Sequence, residues 1–195
     1  MEIKQVFSND DGKKETHLGQ FKYCPFCGTQ LLLKKIGGKH RPTCPNCEFV
    51  QFRNPAPGVV VVIEEDGFVL LGKRKGGFGE GKWGLPQGYI EFNESFLSAA
   101  IREVKEETSL DVEIQSILNV VSNYLTPRLH TLAIVLLAGV VGGKPCAGDD
   151  MAILEWVPLS GPLPEMAFEA DQRIIEGYLE TGSEEGLPVN PESAR

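Results

Sequence analysis

The stretch from Gly88 to Leu110 narrows what this chain can fold into more than any other. Phe96, Leu97, Ala100, Ile101 and Val104 recur at helical spacing, so residues 95 to 107 are expected to form a helix with one apolar stripe. Glu103 and Glu107 are four apart, and Glu103 and Glu106 are three apart, which puts their carboxylates on a shared helix face. Three like charges at that range repel unless a cation sits among them. Hard oxygen donors in a cluster suit Mg2+ or Mn2+, cations that keep several waters and also bind substrate phosphates. Taken alone, Arg102 to Glu107 also fits a plain solvated helix face laced with weak surface pairs.

The segments around this helix read as strands. Gly58 to Ile63 and Phe68 to Leu71 are apolar, β-branched runs joined by Glu64-Glu65-Asp66-Gly67, a hairpin pattern with Asp-Gly as the turn. Lys73 to Lys82 is basic and glycine-rich, and is expected to be a mobile loop with access to substrate phosphate or simply to water. Val112 to Tyr124 alternates enough for one or two strands; Leu132 to Val141 and Ile153 to Val157 read as further strands. Glu169 to Glu180 reads as an amphipathic helix with Ile174, Ile175, Tyr178 and Leu179 facing inward. Strands with two helices predict an α/β fold, a mixed sheet between helices. Ser183 to Arg195, polar with two prolines, is expected to fray.

Ahead of this domain stand two Cys-x-x-Cys knuckles, Cys24-Pro25-Phe26-Cys27 and Cys44-Pro45-Asn46-Cys47, with sixteen residues between Cys27 and Cys44. That spacing is within the range of a four-cysteine zinc site, with Leu31 to Pro42 as a short hairpin between the knuckles. Two disulfides are the alternative, and they need an oxidising compartment. Four thiolates leave zinc no open position, so the site reads as structural. Cys146 has no partner in the pattern and reads as incidental. Gln51 to Pro57 is proline-bearing and extended, a linker.

The central stretch resembles the signature of the Nudix hydrolases: Gly, five residues, Glu, seven residues, then Arg-Glu-apolar-any-Glu-Glu-any-Gly-apolar. Gly88, Glu94, Arg102, Glu103, Glu106 and Glu107 all fall at matching gaps, and Ser109 stands where the family has glycine. Trp83-Gly84-Leu85-Pro86-Gln87-Gly88 is similar to the family's lead-in, with Gln87 in place of a usual glycine. The resemblance covers about residues 57 to 182 and implies an α/β/α sandwich with a mixed sheet. With the ribbon in front, the layout becomes a tail at 1–21, a zinc ribbon at 22–52, a Nudix domain at 57–182 and a tail at 183–195. The resemblance further implies that Glu103, Glu106 and Glu107 hold Mg2+ or Mn2+, one of them acting as base. Arg102 and Glu94 are implied to orient the cluster, and Gly88 to admit the backbone close to metal or phosphate. Asp149 or Asp150 is the candidate for a further acid.

Zinc ribbons before a Nudix domain are similar to one branch of the family, which includes NADH, ADP-ribose and FAD pyrophosphatases. NADH pyrophosphatases carry a Ser-Gln-Pro-Trp-Pro-Phe-Pro pattern after the signature; here the region reads Ser122-Asn123-Tyr124-Leu125-Thr126-Pro127. The resemblance therefore implies release of AMP from ADP-ribose or FAD. NADH, dinucleoside polyphosphates and capped RNA ends are the rivals, the last two because a Pro-Gln-Gly form occurs among such enzymes. Tyr124 is a candidate for stacking on a base, though a tyrosine at a strand end usually just packs. A non-catalytic nucleotide- or RNA-binding module is the rival from another class, and it has no need of three clustered carboxylates. The net charge of -8 argues against a general nucleic-acid binder and not against a nucleotide bound through metal. The opening residues, Met1 to Asp11, are mixed and polar, and Leu132 to Val141 is too short to span a bilayer. A cytoplasmic protein without a membrane anchor is expected, and the resemblance implies a homodimer.

Overall fold

The computed structural model describes residues 21–126, 129–181 and 186–188. Two antiparallel strands, β1 (Leu32–Ile36) and β2 (Lys39–Thr43), form a small separate sheet between the cysteine knuckles. The remaining strands are β3 (Ala56–Glu65), β4 (Phe68–Arg74), β5 (Trp83–Gly84), β6 (Gln87–Tyr89), β7 (Leu110–Thr126), β8 (Leu129–Gly143), β9 (Met151–Pro158) and β10 (Leu187–Pro188). They join into one mixed sheet in the order β10-β7-β8-β3-β4-β5, with β6 on β3 and β9 on β4. The β3–β8 pairing is parallel and the others are antiparallel. Two helices, α1 (Phe96–Thr108) and α2 (Glu169–Thr181), complete the fold.

The alternation of β3 explains why the sheet takes a helix on each face. Val59, Val61 and Ile63 join a cluster with Leu97, Ala100 and Val104 of α1. Val60 and Val62 point the other way, into a cluster with Ile174 and Ile175 of α2. A strand buried on both faces reads as an unbroken apolar run, as Val59 to Ile63 does. The α/β/α sandwich with a mixed sheet and a four-cysteine ribbon in front is therefore the architecture.

The β3–β4 hairpin pairs only near its turn, Glu64 with Val69 and Glu65 with Phe68. Beyond that the two strands separate. The freed edge of β3 takes β6, and the freed edge of β4 takes β5. This wedge presses the chain from Trp83 to Tyr89 into the sheet: Val61 N–H donates to the Pro86 carbonyl at 2.8 Å.

Several sequence expectations change. Val112 to Tyr124 belongs to one long strand, β7, kept on β8 by repeated register shifts. Leu179 is half exposed, because the buried stripe of α2 runs through Asp171, Ala170, Ile174 and Ile175 instead. The basic loop begins later than expected, since β4 continues to Arg74, whose side chain is tied down. The end of the chain is not wholly frayed: Leu187 and Pro188 pair with Ile117 and Ser116 on the free edge of β7. The rest of the 183–195 tail, apart from Gly186, and residues 1–20 of the leading one lie outside the described residues. No helix among the described residues is long and apolar enough to cross a membrane.

Candidate active site and cysteine cluster

α1 places the acids. It starts at Ser95, whose side chain accepts the Ser98 N–H, and ends at Ser109 in the left-handed region (φ 62°). Its buried positions include Ala99, Glu103, Val104 and Glu107, so two of the glutamates lie under the Trp83–Tyr89 segment. Glu107 is the deeper, 2% exposed, and accepts the Gln87 N–H at 3.0 Å. Gly88 faces Glu103, and a β-carbon there would lie 2.0 Å from the Glu103 carboxyl carbon. Only a residue without a side chain allows that approach.

Arg102 organises the outer acids. Its guanidinium makes a two-pronged contact with Glu94, Nη2 to Oε1 at 2.6 Å and Nε to Oε2 at 3.1 Å. It also donates from Nη1 to Glu103 at 2.8 Å and to Glu106 at 3.0 Å, and from Nη2 to the Tyr89 carbonyl at 3.0 Å. This planar fork binds carboxylates in fixed geometry, a task a lysine cannot copy. The Arg102 fork holds the Glu94 carboxyl below the usual range. Burial pushes Glu103 upward against the pull of Arg102.

A cavity of about 310 Å³ opens beside these residues, lined by Gly88, Glu103, Glu107, Asp149, Asp150 and Arg74 among others. Glu106 is not in its wall; it is half exposed and turned to Arg102. Asp149 and Asp150 arrive on the β8–β9 loop, which is pinned to the end of α1 by Gly148 N–H on the Glu107 carbonyl at 2.9 Å. Asp149 adopts a positive φ of 40°, a strained setting common at functional loops. Asp150 receives Arg74 Nη2 at 2.6 Å, while its other oxygen, Oδ1, is buried without a hydrogen-bond partner among the described residues. Burial, with Asp150 opposite, pushes the Glu107 carboxyl up to about 9. Near neutral pH this leaves Glu107 protonated beside Asp150, and among the described residues the acids do not converge to within 4.8 Å as the cysteine sulfurs do. The donor set is all oxygen, so the residues fit Mg2+ or Mn2+.

The structure adds a residue that the sequence reading passed over. Asp171, 1% exposed, accepts the Leu85 N–H at 3.1 Å and the Gln87 side-chain amide at 3.2 Å. Burial raises its carboxyl to about 7. It therefore holds the loop whose backbone holds Glu107, and Gln87 is the link between them. The readable clue was its place at i of the i, i+3, i+4, i+7 stripe with Ile174, Ile175 and Tyr178, an acid on a core face. Arg74, lying 5.5 Å from the Phe168 ring centroid, is the second residue seen only in three dimensions. Tyr124 pairs across the strands with His130, rings 5.2 Å apart, and follows the packing reading.

In the ribbon, Cys24, Cys27, Cys44 and Cys47 bring their sulfurs within 4.8 Å of one another. The pairs Cys24–Cys47 and Cys27–Cys44 are 3.5 Å apart and Cys27–Cys47 3.7 Å, near the roughly 3.8 Å edge of a zinc–thiolate tetrahedron. Backbone N–H groups of Asn46 and Cys47 aim at the Cys44 sulfur at 3.4 Å, the way a knuckle supports a thiolate. All are free thiols, so the disulfide alternative is not what the geometry holds. The cluster fits zinc. Cys146 is exposed and apart from it.

Residues 52–178 match the family model of the NUDIX domain. Over 129 residues the chain is 39% identical to the ADP-ribose pyrophosphatase of Methanocaldococcus jannaschii, covering 66% of this chain and 75% of that protein. It is 27% identical over 173 residues to the NAD-capped RNA hydrolase NudC of Pseudomonas aeruginosa, covering 87% of this chain but only 60% of the relative. The crystal structure of a NUDIX hydrolase from Nitrosomonas europaea matches at a TM-score of 0.72 and 26% identity, over 87% of this chain and 97% of the other.

Proposed function

The chain belongs to the Nudix hydrolases, and we propose that it cleaves the phosphoanhydride of a nucleoside diphosphate joined to a second moiety, ADP-ribose or FAD, releasing AMP. The observation that carries this reading is the cavity walled by Glu103, Glu107, Asp149 and Asp150 beside the bare backbone of Gly88. Glu103, Glu106 and Glu107 are proposed to hold Mg2+ or Mn2+, with Asp149 or Asp150 as a further acid. When bound, such a cation neutralises phosphate charge and acidifies the attacking water.

The chain's own residues do the rest. Arg102 and Glu94 keep the glutamates from swinging away from the cavity. Asp171 and Gln87 fix the loop that bonds Glu107. Gly88 leaves room for a phosphate to lie against the backbone. A glutamate of the cluster takes the proton of the water that attacks phosphorus, and the P–O–P bridge breaks toward the other phosphate. One water is consumed, and ADP-ribose gives AMP and ribose 5-phosphate. The second moiety would be held farther along the cavity, near Asn123, Leu125 and Thr131, where binding energy aligns the anhydride.

The name of the 39% identical relative and the missing Ser-Gln-Pro-Trp-Pro-Phe-Pro pattern support ADP-ribose over NADH. Zinc on Cys24, Cys27, Cys44 and Cys47, a cytoplasmic location and a homodimer complete the proposal. Purified protein incubated with Mg2+ and ADP-ribose, FAD, NADH, diadenosine polyphosphates or ATP tests the substrate reading; rapid AMP release from the first two is expected. Robust cleavage of the dinucleoside polyphosphates alone would move the substrate to the class that Gln87 points to.

A further inference from the structure

The net charge of -8 is a sum over two regions of opposite sign. From Phe21 to Arg53 there are six basic residues, Lys22, Lys34, Lys35, Lys39, Arg41 and Arg53, against one acid, Glu48. The ribbon's basic and acidic side chains therefore sum to +5, or +3 when four thiolates and Zn2+ are counted, which leaves -13 for the rest of the chain. Among the described residues, none of the four lysines forms an ion pair. The hairpin even sets cations opposite one another: Lys34 pairs across the strands with Arg41 on one face of the two-stranded sheet. Like charges directly opposite destabilise a two-stranded sheet, and an anion on that face relieves the repulsion.

The same module exposes flat rings. Phe21, Tyr23 and Phe52 are more than half exposed, and Phe26 is 79% exposed although its edge meets Phe49 at 5.4 Å. The Arg41 guanidinium lies 4.7 Å from the Phe52 ring centroid, and its Nε is buried without a hydrogen-bond partner among the described residues. Cations that track a phosphate backbone and exposed rings on which bases stack are the two components of a single-strand binding surface, and Arg41 against Phe52 brings the two together here.

We infer that the ribbon is a binding surface for single-stranded nucleic acid, read without sequence preference. A duplex offers phosphates but keeps its bases stacked away from the rings. An acidic peptide would satisfy the lysines and leave the aromatics uncovered. The strongly negative remainder of the chain repels phosphates, so contact is confined to the ribbon and to a short stretch of strand. The inference is independent of which anhydride the Nudix cavity cuts.

The test uses the full-length, zinc-loaded protein and a 3′-labelled oligouridine of about 12 nucleotides with a 5′-hydroxyl end, which offers no anhydride to cleave. Fluorescence anisotropy across a salt series is expected to show binding that weakens steeply with salt. In Lys34→Glu/Lys35→Glu the affinity falls by about tenfold or more, and the slope of log K against log salt drops by at least about 1. A second variant, Tyr23→Ala, keeps the charge and lowers affinity by removing a ring. Zinc content confirms that each variant folds, and turnover of ADP-ribose stays at the parental level. Absence of binding, or binding indifferent to both variants, overturns the inference. Equal affinity for the duplex of the same sequence overturns the single-strand reading. Salt-sensitive self-association lost in the double variant, without nucleic-acid binding, would assign the surface to the acidic body of a second copy.

Discussion

Removing the charge of Glu107 while keeping its shape separates the chemistry of the site from its architecture. Glutamine at 107 still accepts the Gln87 N–H, so the loop stays in place. The variant Glu107→Gln is expected to lose turnover on the order of 10²–10³-fold at saturating Mg2+, with an unchanged circular dichroism spectrum. A well-folded variant with near-parental rate would remove Glu107 from the proposed metal site. The same charge weighs on the metal-free fold. With a native carboxyl pushed to about 9, against 4.5 unperturbed, ionisation costs stability progressively as pH rises between those values. Denaturant unfolding at pH 8 without divalent metal should therefore find Glu107→Gln more stable than the parent. Gly88→Ala should do the reverse: its new methyl meets the Glu103 carboxylate, and activity falls although no charged group has been removed.

At the scale of the elements, α1 and the strands were legible because their apolar residues keep the right period. β3 showed its double burial as an unbroken run, and α1 showed its stripe. What was hidden is what depends on a partner element. Glu103 and Glu107 share a face with Glu106 by spacing, yet two are buried and the third is turned outward, because the Trp83–Tyr89 segment covers only part of the helix. Asp171 gave the clearest overlooked clue, an acid inside an apolar stripe. Its effect is testable through linkage. The folded carboxyl ionises near 7 against 3.8 unperturbed, so from about pH 4 to 7 the native state retains a proton that the unfolded state has released. Native stability contributed by this group therefore declines as pH rises through that window. Asp171→Asn removes the slope, and the stability of the parent relative to the variant should fall between pH 4.5 and 8. A difference constant with pH would contradict the assignment. Ser109, standing where the signature has glycine, ends α1 in the left-handed region at φ 62°. Ser109→Gly relieves that backbone and loses an exposed hydrogen bond to the Cys146 carbonyl, for a net gain of up to about 1 kcal/mol in unfolding free energy.

On the scale of the whole molecule, the ribbon and the Nudix domain were readable as separate modules from cysteine spacing and signature spacing. The single net charge concealed how unequally charge is divided between them. A ribbon of two five-residue strands has little core of its own, with β1 exposed along most of its length. Metal binding is then folding free energy for that module. Elemental analysis of protein purified without added metal should find about one zinc per chain, and Cys24→Ser should lose it. Zinc-free protein with all four cysteines oxidised would replace the metal with disulfides. Whether the cavity is where hydrolysis occurs is decided by chromatography of the products formed from ADP-ribose with Mg2+, with the parent and Glu107→Gln side by side. The parent is expected to yield stoichiometric AMP and ribose 5-phosphate, and the variant almost none. Intact ADP-ribose with the metal-loaded parent, or equal product from both proteins, would contradict this expectation.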